Sequence, residues 1–137
     1  MPRGHARRVD TPALHRPVRS DRLLYSHTVV AEGGRMVFIA GQLSRNREGA
    51  LVGRGDMRAQ IRQVCDNVRA ALAAAGADVA DLVKTTTYVT DIDEFFKHVD
   101  VRSEYFGAEP PTSTTVEVRR LAAPEFLIEM DAIAVVA

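Results

Sequence analysis

The 137-residue sequence has one cysteine, Cys65, no tryptophan and only two lysines. A single cysteine excludes an internal disulfide and a cysteine-based zinc site. No apolar run reaches the length of a membrane-spanning helix, and the first twenty residues lack the apolar region of a secretory signal. The formal net charge is zero, so no overall field attracts nucleic acid or an anionic membrane. These absences predict a cytoplasmic protein.

The composition, 46% hydrophobic and 26% charged, is typical of one soluble domain. Residues 1–22 contain six arginines against two aspartates, and three prolines lie among them. An arginine-rich start could belong to a mitochondrial presequence, but the prolines and the lack of an amphipathic period favour a flexible tail. We therefore predict a flexible basic leader over residues 1–21 and one folded domain over residues 22–137.

Apolar residues at helical spacing predict a helix between Asp56, which can cap it, and Gly76, which ends it. A second helix is expected from Asp91 to Gly107. Segments rich in β-branched or apolar residues predict five strands, at 23–31, 36–41, 82–90, 109–121 and 125–137. The paired glycines of EGGR, residues 32–35, predict a hairpin turn between the first two strands.

This order of elements, β-β-α-β-α-β-β, predicts an α+β fold. Two helices would cover one face of a five- or six-stranded mixed sheet. The other face would be left without helices, and an uncovered apolar face is usually buried in an oligomer.

Five segments carry a resemblance to a known family, and they occur in the order FIAGQL (38–43), NVRAALAAAGA (67–77), VKTTTYVTDIDEF (83–95), PPTSTTVEV (110–118) and LIEMDAIAVV (127–136). Together they resemble the RidA family of reactive intermediate deaminases, also called YjgF-like proteins and, in an older label, endoribonuclease L-PSP. The resemblance covers residues 22–137 and implies a chorismate-mutase-like fold, a homotrimer and a small-molecule cleft between subunits. It also implies hydrolysis of 2-imino or 2-amino-enoic acids to 2-keto acids and ammonia, with no cofactor and no metal.

The resemblance also implies the site residues. In deaminating members an arginine, which binds the substrate carboxylate, stands where this chain has Ser113. Thr115 stands where many members have a cysteine whose backbone helps to polarise the substrate, and Glu129 matches the acid that positions the attacking water. Further cleft-lining positions are Tyr25, Ala40, Gly41 and Val99.

Because position 113 has no arginine, another cation would be needed to bind a substrate carboxylate. Arg102 shares helical spacing with Phe95 and Phe106, which places it on the apolar stripe of the second helix. Our hypothesis is that Arg102 replaces the lost carboxylate anchor from a different element. The alternative is that its stem packs on apolar surface while its head pairs with Asp100, Glu104 or an acidic group of the next subunit.

Two classes of function follow. The first is a hydrolase acting on an enamine or imine, in which Glu129 holds water and backbone groups near Gly41 and Thr115 polarise a carboxylate-bearing substrate. The second is a noncatalytic ligand-binding or regulatory trimer, because Ser113 departs from the deaminase pattern. Glu129 could equally bond to backbone or to a neighbouring subunit. RNA cleavage or translation inhibition is disfavoured, since basic charge is confined to the leader.

Overall fold

A four-stranded mixed β-sheet lies at the centre of the structure, a computed structural model that describes residues 6–137. In chain order the elements are β1 (Ala6–Val9), β2 (Val18–Arg19), β3 (Arg22–Leu23), β4 (Thr28–Ala31), β5 (Arg35–Leu43), α1 (Met57–Ala74), a 3-10 turn (Val79–Asp81), β6 (Leu82–Val89), α2 (Ile92–Lys97), α3 (Val99–Phe106), β7 (Thr112–Glu117) and β8 (Ile128–Val136). The strand order of the central sheet is β5-β8-β6-β7, so β5 and β7 are its edges. β8 runs antiparallel to both neighbours, whereas β6 and β7 are parallel.

Helix α1 begins and ends as its sequence predicts. The Asp56 side chain accepts a hydrogen bond from the backbone N–H of Ala59 at 3.0 Å, and Gly76 has the positive φ, 73°, that suits a residue just beyond a helix. The helix packs on β5 and β8. Its apolar stripe, which includes Ile61 and Leu72, is buried there and forms the core together with the inward residues of the sheet.

The second predicted helix is in fact two helices. The backbone leaves the helical region at His98, with φ −123° and ψ 13°, and the His98 N–H bonds to the Phe95 carbonyl three residues earlier. α2 therefore ends there and α3 begins at Val99. The apolar stripe continues across the break, since Phe95, Val99 and Phe106 are all buried.

The predicted hairpin of the first two strands is wrong in its pairing. Gly33 and Gly34 do adopt positive φ angles, 60° and 73°, as a tight turn requires. However, the ladder partner of β4 is β1, and β5 pairs with β8. The central sheet consequently has four strands instead of five or six, because β4 leaves it to pair with the leader. The α+β class with helices on one face of a mixed sheet is confirmed.

The leader contains a strand where the sequence predicts a flexible tail over residues 1–21. Residues 6–9 pair antiparallel with β4, and Arg8 ties them to the domain. Its Nε donates to the Pro110 carbonyl and its Nη2 to the Leu82 carbonyl, each at 3.2 Å. The arginines that indicated a solvated basic tail thus include one that serves as a structural donor. Residues 1–5 of the predicted leader lie outside the described residues.

The face of the central sheet opposite the helices is open in the single chain. Met36 and Phe38 of β5 are 60% and 69% exposed there. Over residues 6–137, none of the helices has the length and apolar character needed to cross a bilayer.

Candidate functional site

Glu129 lies against the backbone of Gly41. The two residues sit on neighbouring strands, because β8 pairs with β5 and Glu129 is opposite Leu43. A β-bulge between Ile39 and Gln42 interrupts the ladder at Gly41. A Cβ atom placed on Gly41 would be 1.9 Å from Oε2 of Glu129, so only glycine leaves room for the carboxylate in this position. The two predicted site residues are therefore in contact.

The Glu129 carboxylate has no ion-pair or hydrogen-bond partner among residues 6–137. Across the sheet it stands opposite Tyr88 of β6, whose hydroxyl donates to Asp131 Oδ2 at 3.2 Å. The negative charge of Asp131, with that of Glu129 adding to it, raises the pKa of the Tyr88 phenol. A half-buried carboxylate with its oxygens unoccupied can accept hydrogen bonds from a water molecule or a ligand.

Arg102 is the largest fully buried side chain of the described residues, with 2% of its surface exposed. Its guanidinium lies between two aromatic rings, 5.2 Å from the centre of Phe95 and 5.2 Å from that of Phe106. Cation–π contacts of this kind offset part of the cost of burying a charge. Burial nevertheless lowers the pKa of Arg102 to about 10, which leaves it charged at neutral pH.

Three side-chain hydroxyl oxygens accept hydrogen bonds from the Arg102 guanidinium. The two hydrogens of Nη1 are shared among three acceptors, Thr115 Oγ1 at 3.2 Å, Thr87 Oγ1 at 3.3 Å and Ser113 Oγ at 3.4 Å. Thr87 and Thr115 are direct partners in the parallel β6–β7 ladder, and Ser113 is two residues from Thr115 on the same face. The structure thus places Arg102, Ser113 and Thr115 side by side.

Neither carboxylate suggested from the sequence as an Arg102 partner pairs with it. Asp100 instead forms a bidentate pair with Arg58 of α1, at 3.0 and 2.8 Å. Within residues 6–137, Arg102 makes no ion pair, and its Nε has no acceptor.

The two clusters lie on opposite faces of the sheet. Thr87 and Thr115 point toward the helices, and Thr87 is opposite Met130 of β8, which is fully buried on that same face. Glu129 precedes Met130 and therefore points to the open face. Strand β6 also separates β8 from β7, a lateral distance of about 10 Å. Within one chain, Glu129 and the hydroxyl–arginine cluster therefore cannot contact the same small ligand.

The remaining predicted cleft residues border three different hollows. Gly41, next to exposed Ala40, borders an open groove of about 820 Å³ along α1. Val99 lines a cavity of about 410 Å³ under the β2–β3 hairpin. Tyr25 lines one of about 260 Å³ inside the leader and packs edge-on against His27. The single chain does not bring these residues together. Over residues 6–137 there is also no cluster of three or more side chains suited to a metal ion.

Comparison with known proteins decides the family. Residues 17–136 match the family described as endoribonuclease L-PSP, the older label of RidA proteins. The chain belongs to the RidA family. One RidA relative, the 2-iminobutanoate/2-iminopropanoate deaminase of Escherichia coli K12, is 41% identical over an alignment of 106 positions, and the match covers 74% of this chain and 80% of that protein.

Solved structures of RidA proteins confirm the fold. The Rid family protein YyfB from Yersinia pestis, described as of unknown function, is 34% identical with a TM-score of 0.84, covering 96% of this chain and 99% of that one. Escherichia coli TdcF with bound serine is 33% identical with a TM-score of 0.69, covering 78% of this chain and 85% of that one. Because 96% coverage can omit only a few residues, the match to YyfB extends through most of the leader.

Thr87 belongs to the Arg102 cluster of this RidA chain but is not among the site residues predicted from the sequence. The run Thr85–Thr87 has the composition of an ordinary strand, and nothing local distinguishes its three hydroxyls. Only the parallel register of β6 with β7 places the Thr87 hydroxyl beside Arg102. A prediction of the β6–β7 register from the sequence would have identified Thr87 as a neighbour of Thr115.

Proposed function

We propose that this protein is a RidA-type hydrolase that converts an imine or enamine of a small carboxylic acid to the corresponding keto acid and ammonia. The observation that carries the proposal is the Glu129 carboxylate, which is unpaired within residues 6–137 and packed against Gly41. The deaminase activity named for the Escherichia coli relative and the serine bound to TdcF support a small amino-acid-like ligand.

The proposed site is shared between chains of a homotrimer. Glu129 is one strand in from the β5 edge of the sheet, and the Arg102 cluster lies at the β7 edge on the other face. In a closed ring of identical chains, each interface joins two different patches of the same surface, and we place the β5 side of one sheet beside the β7 side of the next. The cleft then takes Glu129 from one chain and the Ser113–Thr115 strand from its neighbour, which accounts for their separation within one chain.

The chemistry needs only water and a proton carrier. Glu129 takes a proton from water as the water oxygen bonds to the C=N carbon, and it passes that proton to nitrogen, giving a carbinolamine. It then carries the hydroxyl proton to the same nitrogen while the C–N bond breaks. Nitrogen leaves as ammonia with the bonding electrons, and a carbonyl group remains.

The test generates 2-iminobutanoate from threonine with a PLP-dependent dehydratase and measures ammonia release above the spontaneous rate. We expect the wild type to accelerate release and Glu129→Gln to lower kcat by about 100-fold or more, because the amide cannot carry protons. Asp131→Asn, two residues along the same face of β8, is the matched control and should keep wild-type activity. Equal rates for wild type and Glu129→Gln would reject the proposal.

A noncatalytic ligand-binding trimer is the second candidate. It is favoured by Ser113 and Thr115, whose hydroxyls are bonded to Arg102 where deaminating relatives are expected to carry arginine and cysteine. A wild type that binds 2-oxobutanoate but does not accelerate imine hydrolysis would support this function over the first.

A further inference from the structure

A buried guanidinium without a counterion needs an explanation. Arg102 is enclosed by Phe95, Phe106 and three hydroxyl-bearing residues, and residues 6–137 supply it with no carboxylate. Removing an ionised group from water is costly unless it is paired and hydrogen-bonded. The Arg102 charge is hydrogen-bonded but not neutralised, which favours binding of an anion from outside the chain.

The hydroxyl groups around Arg102 are oriented by the bonds they accept. An oxygen that accepts an N–H from the guanidinium turns its own O–H away from that cation. Within residues 6–137, neither Ser113 nor Thr115 donates its hydroxyl hydrogen to another group. Both side chains are half-buried on an edge strand, whereas Arg102 behind them is closed to solvent. An incoming ligand therefore meets two oriented O–H donors before it meets the cation.

We infer that Ser113 and Thr115 form an anion site in which their hydroxyl hydrogens bind a ligand carboxylate, while Arg102, buried behind them, supplies the positive charge. This inference rests on the proposed function only for the choice of a carboxylate as the anion. Arg102 acts through the two hydroxyls and is a positioning residue. A guanidinium that polarises a hydroxyl strengthens the next hydrogen bond in the chain, and its charge acts strongly across a poorly solvated interior.

The site replaces one binding mode by another. The family resemblance places an arginine on β7 at position 113, where it would contact the substrate carboxylate directly. In this chain a cation, Arg102, lies on α3 one layer deeper, and Ser113 occupies the position on β7. One carboxylate group can satisfy both hydroxyls, since both oxygens lie within 3.4 Å of the same nitrogen atom of Arg102.

The decisive measurement is calorimetric binding of 2-oxobutanoate and of its uncharged amide, 2-oxobutanamide. We expect wild type to bind the acid at least tenfold more tightly than the amide. Thr115→Val and Ser113→Ala should each weaken acid binding about tenfold, because each removes one charge-assisted hydrogen bond, and should leave amide binding nearly unchanged. Thr114→Val, on the opposite face of β7, is the matched control and should bind as wild type does.

Variants at Arg102 test the source of the charge. Arg102→Lys should keep most of the preference for acid over amide, whereas Arg102→Gln should abolish it without a change in oligomeric state, measured by light scattering. If Arg102→Gln does not fold, the two ligands and the hydroxyl variants still decide the question. Equal binding of acid and amide by wild type, or wild-type affinity in both hydroxyl variants, would overturn the inference, as would a folded Arg102→Gln that keeps the preference for acid.

The same titrations separate this inference from the proposed enzymatic function. Hydroxyl-dependent binding of 2-oxobutanoate without imine hydrolysis would reject the hydrolase and leave the anion site standing. Imine hydrolysis with a KM unaffected by Thr115→Val and Ser113→Ala would reject the anion site and leave the hydrolase standing.

Discussion

The contact between Gly41 and Glu129 depends on the absence of a side chain at position 41. Gly41 follows the last regular pair of β5 before the bulge, and the carboxylate of Glu129 rests where any larger residue would have its Cβ. Gly41 does not have a positive φ, so backbone conformation is not what requires glycine there. The requirement comes from the close approach of the Glu129 side chain.

Gly41→Ala should therefore impair turnover more than stability. The new methyl group would overlap Oε2 of Glu129, and the carboxylate would have to rotate away from its position over the backbone. A displacement of about 1 Å at a catalytic group can cost about 100-fold in rate, so we expect a fall in kcat of that order with a small change in melting temperature. Steady-state imine hydrolysis and thermal denaturation measure the two effects.

A second substitution distinguishes displacement of the carboxylate from general damage. Glu129→Asp shortens the side chain by one methylene and should recover part of the lost rate in the Gly41→Ala background, although it lowers the rate by itself. Wild-type kcat in Gly41→Ala would show that the carboxylate position is unimportant.

At the scale of elements, α3 contacts α1 through a charged pair, beside a hydrogen bond from the Tyr105 hydroxyl to Asp66. Arg58 of α1 makes two hydrogen bonds to Asp100 of α3, two residues before Arg102. The hydrogen bonds from Arg58 hold the pKa of the Asp100 carboxyl below its ordinary value of 3.8. The pair thus adds a surface contact to the helix that carries the buried cation.

The sign of this pKa shift predicts a pH dependence. A carboxyl group whose pKa is lower in the folded state stabilises the protein above its unfolded pKa, and the effect is lost as pH falls through the folded pKa. Asp100→Asn should therefore lower the melting temperature by roughly 1–3 °C above about pH 5, a small effect because the pair is solvent-exposed. The difference from wild type should shrink as the pH falls below the ordinary pKa of 3.8.

Thermal denaturation between pH 2 and pH 7 measures this difference. Arg58→Gln should reproduce the Asp100→Asn profile, and the double variant should add nothing further, because both changes remove the same pair. Glu48→Gln, in an exposed loop, serves as the control. A difference that persists unchanged to pH 2 would show that Asp100 acts through packing and not through its charge.

The sequence predicts the features that depend on neighbouring residues, and it does not predict those that depend on pairing between distant segments. The ends of α1 depend on Asp56 and Gly76, which act locally, and they are where the sequence predicts them. The burial of Arg102 also follows from local spacing. The pairing of β4 with the leader does not, because it joins segments across an intervening hairpin. The face of the sheet to which a side chain points depends on the register of the strand pairs β5–β8, β6–β8 and β6–β7. These strands are distant in sequence, which is why the opposite orientations of Glu129 and Thr115 could not be predicted.

At the scale of the whole molecule, the open face of the sheet carries an exposed apolar surface. Phe38 and Met36 of β5 are its most exposed members, and Val116 of β7 lies at the other edge. Exposed apolar surface of this kind, on one face of a sheet, commonly marks a subunit interface. The exposed surface reaches both edges of the sheet, β5 and β7, which the proposed shared cleft places side by side in neighbouring chains.

Phe38→Glu should accordingly dissociate the proposed trimer and abolish imine hydrolysis together. A glutamate at this position would place a charge in the apolar interface, and burying an unpaired charge is prohibitive, so single chains should predominate in light scattering. Fold should survive, because Phe38 is 69% exposed and contributes little to the core of one chain. Val18→Glu, which changes a β2 residue that is 45% exposed, is the matched control and should keep both the oligomer and the activity. A Phe38→Glu protein that is monomeric and fully active would show that Glu129 works within one chain, and the division of the cleft between two chains would then be wrong.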